Sequence, residues 1–417
     1  MGKEARKVIK KTMGKSNNVI VLAGTVWQIP LIQRLKEKGY RVVNFNLLPD
    51  SPAFEYADEY RVVDILNKDE CLKYANEFEP LAIMSEECDI ASIPVAWLSE
   101  RLGLTSIGIN MAELYTNKYL MRQFGKEHNF DTPSFCKCSN INQAIEVYDT
   151  LNIKMIMKPL DSNSSRGVYT INNKNDIIKY YNDCIKFSKT EKCVLMEEYI
   201  DGTEFTVDGV KTEKGHISLA ISEKKHYDYN ENIACTLYFS HENEKYNYNK
   251  LREINDLFVN LTGLSYGLTH AEYKYKDGKF YLIEIGARGG GNLISALIVP
   301  LISGVDNYEY LIRKTLNEKC NEDIVIAPEF CARCAILQFF DTEGKEGVVS
   351  NILGEEYLKN CKNIVAYHIY CKIGDVVKLA GDDSKRIGYY IAYGENKDEL
   401  DRIIKNVNNS LKIVLEE

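Results

Sequence analysis

The chain has 417 residues, 45% of them hydrophobic, 27% charged and 11% aromatic, with a formal net charge of -8 and a sequence pI of about 5.5. Those proportions exclude a disordered or collagenous chain, and the acidic balance, with no long Lys/Arg run beyond the first eighteen residues, argues against a nucleic-acid partner. The length is several times the ~150 residues usual for one domain, so two or three packed units are expected.

Met1 to Asn18 is basic, lacks the apolar stretch of a secretory signal, and carries Arg6 where a myristoylation site needs Ser or Thr. Residues 1–18 therefore read as a frayed, solvated tail. No run of about twenty apolar residues occurs, so neither a transmembrane helix nor a membrane partner is expected. Twelve cysteines without a secretory signal read as reduced thiols and point to the cytoplasm. Cys331-Ala-Arg-Cys334 lies in a run of strand formers, Phe330 to Phe340, where residues three apart face opposite sides. With no second CxxC pair to complete a zinc site, core packing is the reading.

Val19 to Ala23 reads as a buried strand, and Gln28 to Lys38, with Ile29, Ile32 and Leu35 on one side and Gly39 as terminator, reads as the first helix. Arg41 to Phe45, Tyr60 to Val63 and Leu81 to Met84 are further strands, and Ala91 to Leu102 a helix closed by Gly103. This alternation predicts a parallel sheet covered by helices. Such sheets bind ligands beyond the carboxyl ends of their strands, here Gly24-Thr25-Val26-Trp27 and Ser85-Glu86-Glu87. Gly24 stands alone where the dinucleotide fingerprint G-x-G-x-x-G needs three glycines, which disfavours a dehydrogenase.

Thr116 or Asn117 caps a helix running to about His128, broken by Thr132-Pro133. Apolar runs follow at Met155 to Met157, Gly167 to Ile171, Val194 to Ile200, Phe205 to Val210, His216 to Ile221, Glu272 to Tyr275 and Phe280 to Ile285, and their pairing suggests an antiparallel sheet. From about Pro328 a last α+β module begins, ending in a helix from Lys397 to Leu411. No Gly-Lys pair has the spacing of a P-loop, which excludes Walker-type ATP binding.

Four separated segments carry the chemistry: Asn117-Lys118-Tyr119-Leu120-Met121-Arg122; Met157-Lys158-Pro159 with Asp161 to Gly167; Val194 to Glu204; and Thr269-His270-Ala271-Glu272 through Glu284-Ile285-Gly286-Ala287-Arg288-Gly-Gly-Gly-Asn292. In that order they resemble the ATP-grasp superfamily, and more narrowly its carboxylate-amine ligases of the L-amino-acid ligase and carbamoyl-phosphate-synthase-like branch. The resemblance covers nearly everything after residue 18. It implies an α/β fold with a preATP-grasp Rossmann-like domain over 19–115, an ATP-grasp domain over 116–327 whose lid spans about 130–200, and a small C-terminal α+β module over 328–417.

The resemblance also assigns roles. Lys118 lies under the α-phosphate region with Lys158 beside it, as suits compact cations. Ser164, Ser165 and Gly167 present hydroxyl and backbone N–H groups to the phosphates. Glu197, Glu198 and Ile200 form the hinge whose backbone meets the adenine edge, and Glu204 accepts from the ribose hydroxyls. Glu272 and Glu284 hold Mg2+, as one ion or two, and Arg288 is the catalytic residue, its planar fork suited to an acyl phosphate or substrate carboxylate. Bland readings stand beside these: solvated lysines, a surface turn at Asp161 to Gly167, a strand running into the Asp201-Gly202 turn, and two exposed glutamates on an ordinary hairpin.

The hairpin allows a geometric test, because Glu272 and Glu284 flank Lys276-Asp277-Gly278-Lys279. A two-residue turn pairs 272 with 283 and puts the glutamates on opposite faces; a three-residue loop with Gly278 left-handed pairs 272 with 282 and leaves them diagonal neighbours on one face. Two carboxylates about 7 Å apart repel by roughly 2 kcal/mol, so a shared face calls for a cation. The three-residue loop is therefore the expectation. Gly286 departs from the asparagine usual two residues after Glu284, which leaves the second metal ligand to phosphates or to Asn292. His270 reads as structural, and Lys224-Lys225-His226 either as part of the acceptor side or as a solvated turn.

The expected reaction uses ATP and Mg2+ to turn a small-molecule carboxylate into an acyl phosphate, which an amine then attacks to give an amide or dipeptide-like product. Homodimerisation is compatible with it. A bicarbonate-using carboxylase and a non-catalytic ATP-binding regulatory protein remain as alternatives.

Overall fold

The computed structural model describes residues 16–162, 166–189 and 191–416; most of the tail expected at 1–18 lies outside them, and Asn18 opens the first strand. The chain divides into two units, residues up to 112 with 308–320, and residues 113–307 with 321–416.

In the first unit, β1 (Asn18–Leu22), β2 (Arg41–Asn46), β3 (Glu59–Val62) and β4 (Ala82–Met84) form a parallel sheet in the order β3-β2-β1-β4. Val19 to Leu22 are fully buried, as a continuous apolar run requires of a strand covered on both faces. Helices α1 (Ile29–Glu37), α2 (Lys68–Phe78) and α3 (Asp89–Leu102) accompany it. A capping box precedes α1: Trp27 N–H donates to Thr25 Oγ1, and Thr25 N–H to Gln28 Oε1. The sequence reading passed over α2, whose buried positions are Cys71, Ala75 and Phe78, yet a crossover between parallel strands needs such a helix. A Cβ on Gly24 would lie 2.7 Å from Ser51 Oγ and 2.8 Å from Asn44 Oδ1. Its role is close packing of the turn after β1.

The second unit opens with α4 (Lys118–Glu127), where the Asn117 side chain accepts from the N–H groups of Tyr119 and Leu120. Strands β5 (Phe135–Cys138), β6 (Met155–Pro159), β7 (Tyr169–Ile171) and β8 (Val194–Glu198) form an antiparallel sheet ordered β5-β8-β6-β7. Its core holds Met155, Met157, Ile171, Val194 and Met196, with Ala144 of α5 (Ile141–Leu151) and Tyr181 of α6 (Lys174–Lys186).

An eight-stranded antiparallel sheet follows, built from β9 (Thr203–Thr212), β10 (Gly215–Tyr227), β11 (Asn230–Phe239), β12 (Gly267–Lys276), β13 (Lys279–Gly286), β14 (Cys334–Phe339), β15 (Ile364–Ile369) and β16 (Gly388–Gly394). The order is β13-β12-β9-β10-β11-β14-β16-β15. The division expected at 327/328 thus falls between two strands of one sheet, since β11 pairs with β14. Helix α7 (Tyr248–Thr262) covers one face, where Asp256 lies 2.6 Å from His216 Nδ1 and accepts from Ser218 Oγ. Helix α8 (Lys397–Ser410) packs Leu400, Ile403 and Val407 against Ile336, Tyr390 and Ala392. Side chains alternate across a strand, so Glu204, Thr206, Asp208, Lys224, His270 and Glu272 share the face opposite α7, as their cross-strand pairings require.

Candidate active site

The β12–β13 hairpin overturns one expectation and keeps its consequence. Lys276 pairs with Lys279, so the loop is Asp277-Gly278 alone, both at positive φ (51° and 82°), a turn whose twist suits a hairpin. The three-residue loop is not formed. The register instead shifts within β13: Tyr273 pairs with Leu282, then Glu272 with Glu284, leaving Ile283 as the extra residue of a β-bulge. The bulge corrects the parity that the even turn would impose. Glu272 and Glu284 therefore stand directly opposite on one face, nearer than diagonal neighbours would be.

Each carboxylate carries an ammonium. Lys118 Nζ donates to Glu284 Oε1 (2.7 Å) and to the Ser162 carbonyl (2.6 Å). Lys224 Nζ donates to Glu272 Oε1 (2.6 Å) and Glu204 Oε1 (2.7 Å), and His226 Nε2 lies 3.3 Å from the other Glu204 oxygen. Lys224 is therefore in the site, whereas Lys225 is exposed. Burial pushes the Glu272 and Glu204 carboxyls up most strongly, but Lys224, joined by His270 at Glu272 and by His226 and Lys274 at Glu204, brings both below the ordinary carboxylate value; burial pulls Lys224 down, and the two carboxylates together outweigh that and raise it. The Glu272 and Glu284 side chains remain 27% and 29% exposed, within reach of a ligand.

A second charged group lies behind this one. Glu197 is buried, with Lys158 Nζ 2.6 Å from its Oε2 and Arg122 Nε 2.8 Å from its Oε1. Burial pushes Glu197 up and the two cations hold it lower, while burial, Arg122 and Lys118 together bring Lys158 below its ordinary value despite Glu197. One anion, Glu197, between two cations, Lys158 and Arg122, leaves local positive charge, which suits a polyphosphate. Glu198 is half-buried; its N–H donates to the Ser134 carbonyl, and its side chain accepts from Ser134 Oγ (3.2 Å). Tyr199 N–H donates to the Lys154 carbonyl, and Ile200 is buried.

Ser164 and Ser165 lie outside the described residues. Gly167 has φ +75°, and a Cβ there would lie 2.8 Å from Phe187 and 3.0 Å from Pro159, so glycine is required on both counts. Ser162 Oγ closes the loop by donating to the Arg166 carbonyl (2.8 Å).

Arg288 lies beyond β13, which ends at Gly286; half-buried, it donates to the Gly289 carbonyl (2.8 Å). Gly286 pairs with His270. The sequence reading missed Asp208, which is buried and whose Oδ1 accepts from Gly290 N–H (3.0 Å) and lies 2.9 Å from His270 Nδ1. The signal was available, since Asp208 is four residues beyond Glu204 on the same strand face. After Gly290, Asn292 and Leu293 are left-handed (φ 57° and 64°) and a π-helical turn spans Ile294–Ile298, the kind of strain that gathers at functional loops.

Among the described residues no group of three or more His, Cys, Asp or Glu side chains is arranged to hold a metal. Two opposed carboxylates nevertheless suit a hard cation whose remaining ligands are waters and phosphate oxygens, as Mg2+ prefers.

Residues 151–296 match the ATP-grasp domain family, and residues 341–416 match the L-amino acid ligase C-terminal domain 2. A formate-dependent phosphoribosylglycinamide formyltransferase of Prochlorococcus marinus is 25% identical over 306 residues, covering 69% of this chain and 73% of that protein. A D-alanine–D-alanine ligase of Pelagibacter ubique is 26% identical over 214 residues, 49% of this chain and 67% of that one. The L-amino acid ligase structure from Bacillus licheniformis superposes with a TM-score of 0.79 at 18% identity, covering 96% of this chain and 99% of that one, which establishes the likeness of fold.

Proposed function

Because the chain belongs to the ATP-grasp superfamily, we propose that it is an ATP- and Mg2+-dependent ligase that activates a small-molecule carboxylate as an acyl phosphate and joins it to a small-molecule amine. The observation that carries this reading is the opposition of Glu272 and Glu284 on one sheet face, each carboxylate held by an ammonium, Lys224 and Lys118 respectively. Free thiols throughout the described residues accord with a reducing compartment such as the cytoplasm.

Glu272 and Glu284 would hold the metal, which when bound supplies charge neutralisation across the β- and γ-phosphates. Lys118 and Lys224 neutralise these carboxylates in the free protein and, once a cation replaces them there, are close enough to turn to phosphate oxygens. Lys158 faces the phosphates from its place beside Glu197, and Glu204 takes the ribose hydroxyls. Glu197 is paired on both sides within β8, and the Glu198 and Tyr199 N–H groups also serve the sheet, so the adenine edge falls to the Glu198 carbonyl and the backbone of Ile200. Gly167, with Ser164 and Ser165, would cover the phosphates.

In the first step a substrate carboxylate oxygen attacks the γ-phosphorus and the bond to the bridging oxygen breaks, releasing ADP. In the second the amine nitrogen attacks the acyl carbon, phosphate leaves with the C–O bond pair, and the surplus amine proton passes to solvent. Arg288 steadies the acyl phosphate, and the rest of the protein contributes positioning and preorganised charge. Hydroxylamine tests this directly: with ATP, Mg2+ and the right acid from a panel of amino acids and small carboxylates, a hydroxamate should accumulate, and Arg288→Ala should lower it by roughly 100-fold or more. Dependence on bicarbonate alone would replace the ligase with a carboxylase, and tight ATP binding without ADP release across a broad panel would make the protein a regulatory one.

A further inference from the structure

We infer that Arg122 is a positioning residue for the metal-binding carboxylates, its guanidinium holding the Ile283 bulge that sets Glu284 opposite Glu272. The inference rests on the ATP-grasp reading of that pair.

Arg122 is fully buried and heads the fully buried side chains by volume among the described residues. Its Nη2 donates to the Ile283 carbonyl (2.6 Å) and to Glu197 Oε2 (3.4 Å), and its Nε lies 2.8 Å from Glu197 Oε1. Ile283 is the residue that the register shift leaves without a cross-strand partner. A bulge disrupts the ladder locally, and a backbone carbonyl released from it needs a donor from elsewhere. Arg122 is that donor.

Burying a guanidinium is costly, and packing alone would be met by an apolar side chain of similar volume. What arginine adds is a fork able to reach a carboxylate on β8 and a carbonyl on β13 at once. Without it the regular ladder pairs 272 with 283, and a one-residue slip turns Glu284 to the other face. Helix α4 thus grips β13 twice. Lys118 holds the Glu284 carboxylate, and Arg122, one turn later on the same side of the helix, holds the carbonyl before it. Glu197, on the Nε–Nη2 edge of the same guanidinium, ties β8 to the same anchor.

Deleting Ile283 should remove the bulge while keeping the pairing of 272 with 284, and so make the anchor unnecessary. The test compares full-length wild type, Arg122→Lys, the Ile283 deletion, and both changes together. Manganese(II) is the metal probe, titrated by electron paramagnetic resonance in the presence of AMPPNP, with metal-free AMPPNP affinity and melting temperature measured alongside. Arg122→Lys keeps a cation for Glu197 but cannot span both partners. It should weaken manganese binding by about tenfold or more, as loss of a metal ligand's supporting contact does, and lower metal-free nucleotide affinity by clearly less than that, because the cation beside Glu197 is kept. In the deletion background the same substitution should leave manganese binding unchanged.

A folded Arg122→Lys protein that binds manganese as wild type does overturns the inference, as does an equal loss in both backgrounds. Should the single variant be too unstable to measure, the combined variant decides: recovery of folding and manganese binding supports the anchor, and failure to recover refutes it. The wild type and Glu284→Gln serve as controls, because absence of nucleotide and manganese binding in the wild type would instead sink the ATP-grasp reading itself.

Discussion

Glu272 stands directly across from Glu284, one residue out of the register that the Asp277-Gly278 turn imposes as far as Tyr273 and Leu282. The parity of the connection decides the faces, and Ile283 is the single residue that changes it. Inserting one alanine between Ile283 and Glu284 should therefore turn Glu284 away from Glu272 while the hairpin persists. We predict that Mg2+ binding to the nucleotide complex, followed by calorimetry, falls by about 100-fold or more, on the scale of losing a preorganised charged group. Unchanged affinity would show that Glu284 is no ligand.

Why the hairpin's outcome was legible and its mechanism was not follows from the same residues. Two glutamates twelve positions apart around an Asp-Gly turn signal a hairpin, and their mutual repulsion signals a cation, but a bulge leaves no mark in composition. Where it falls depends on a donor 161 residues away, Arg122. Lys158 and Glu204 could be named from local segments. Their partners Glu197 and Lys224 come from other strands, so whether a lysine meets a phosphate or a carboxylate was beyond local reading. The parallel sheet was clear because β1 and β4 carry continuous apolar runs, while α2 was passed over because two of its three buried positions are the small Cys71 and Ala75. Asp208 was missed because its value lies in a contact to Gly290 in a distant loop.

The lysine between Glu204 and Glu272 sets a pH signature. Lys224 holds both carboxyls below their ordinary value, so the stability they contribute is complete above the unfolded carboxylate range and is lost as pH falls through the folded values. Lys224 itself is raised above 10.5; its share is complete below that value and lost as pH rises through the folded one. In Lys224→Met, burial and mutual repulsion dominate and push the carboxyls up. We predict a loss of about 1 to 3 kcal/mol at neutral pH, moderated by the 27% exposure of Glu272. The gap to wild type should narrow as pH falls below about 4.5, where the carboxyls protonate in the unfolded chain. Thermal melts from pH 3 to 9 measure it, and a constant gap would refute the assignment.

Gly290 tests the loop that carries Arg288. A Cβ there would sit 2.5 Å from Asp208 Oδ1 and 2.8 Å from His270 Nδ1, so Gly290→Ala must displace the loop, the Asp208 contact or both. We expect hydroxamate formation at saturating ATP to fall by roughly 10- to 100-fold, the consequence of shifting a reacting group by a fraction of an ångström to an ångström. Nucleotide affinity should change little, since Lys158, Glu197 and Glu204 come from other segments. A loss seen in nucleotide affinity alone would mean that the loop serves ATP and not the acyl group.

Glu197 is the one anion between Lys158 and Arg122, and both cations are buried with it. Glu197→Gln removes the charge while keeping nearly the same volume, which leaves two buried cations facing each other. Breaking a buried pair in this way costs about 3 to 5 kcal/mol, and chemical denaturation should register a loss of that size. Nucleotide phosphates bring negative charge to the Lys158 side of the cluster, so ADP should restore part of what the substitution removes. Bound ligand stabilises by RT ln(1 + [L]/Kd); at equal saturating ADP the melting temperature of Glu197→Gln should therefore rise by at least as much as that of the wild type. A clearly smaller rise would place the phosphates away from Lys158 and assign Glu197 a direct contact with the base. Lys158→Met separates the two cases: Arg122 still balances Glu197, so the fold should hold, and ADP affinity should fall by about tenfold if Lys158 meets a phosphate, the worth of one charge-assisted hydrogen bond.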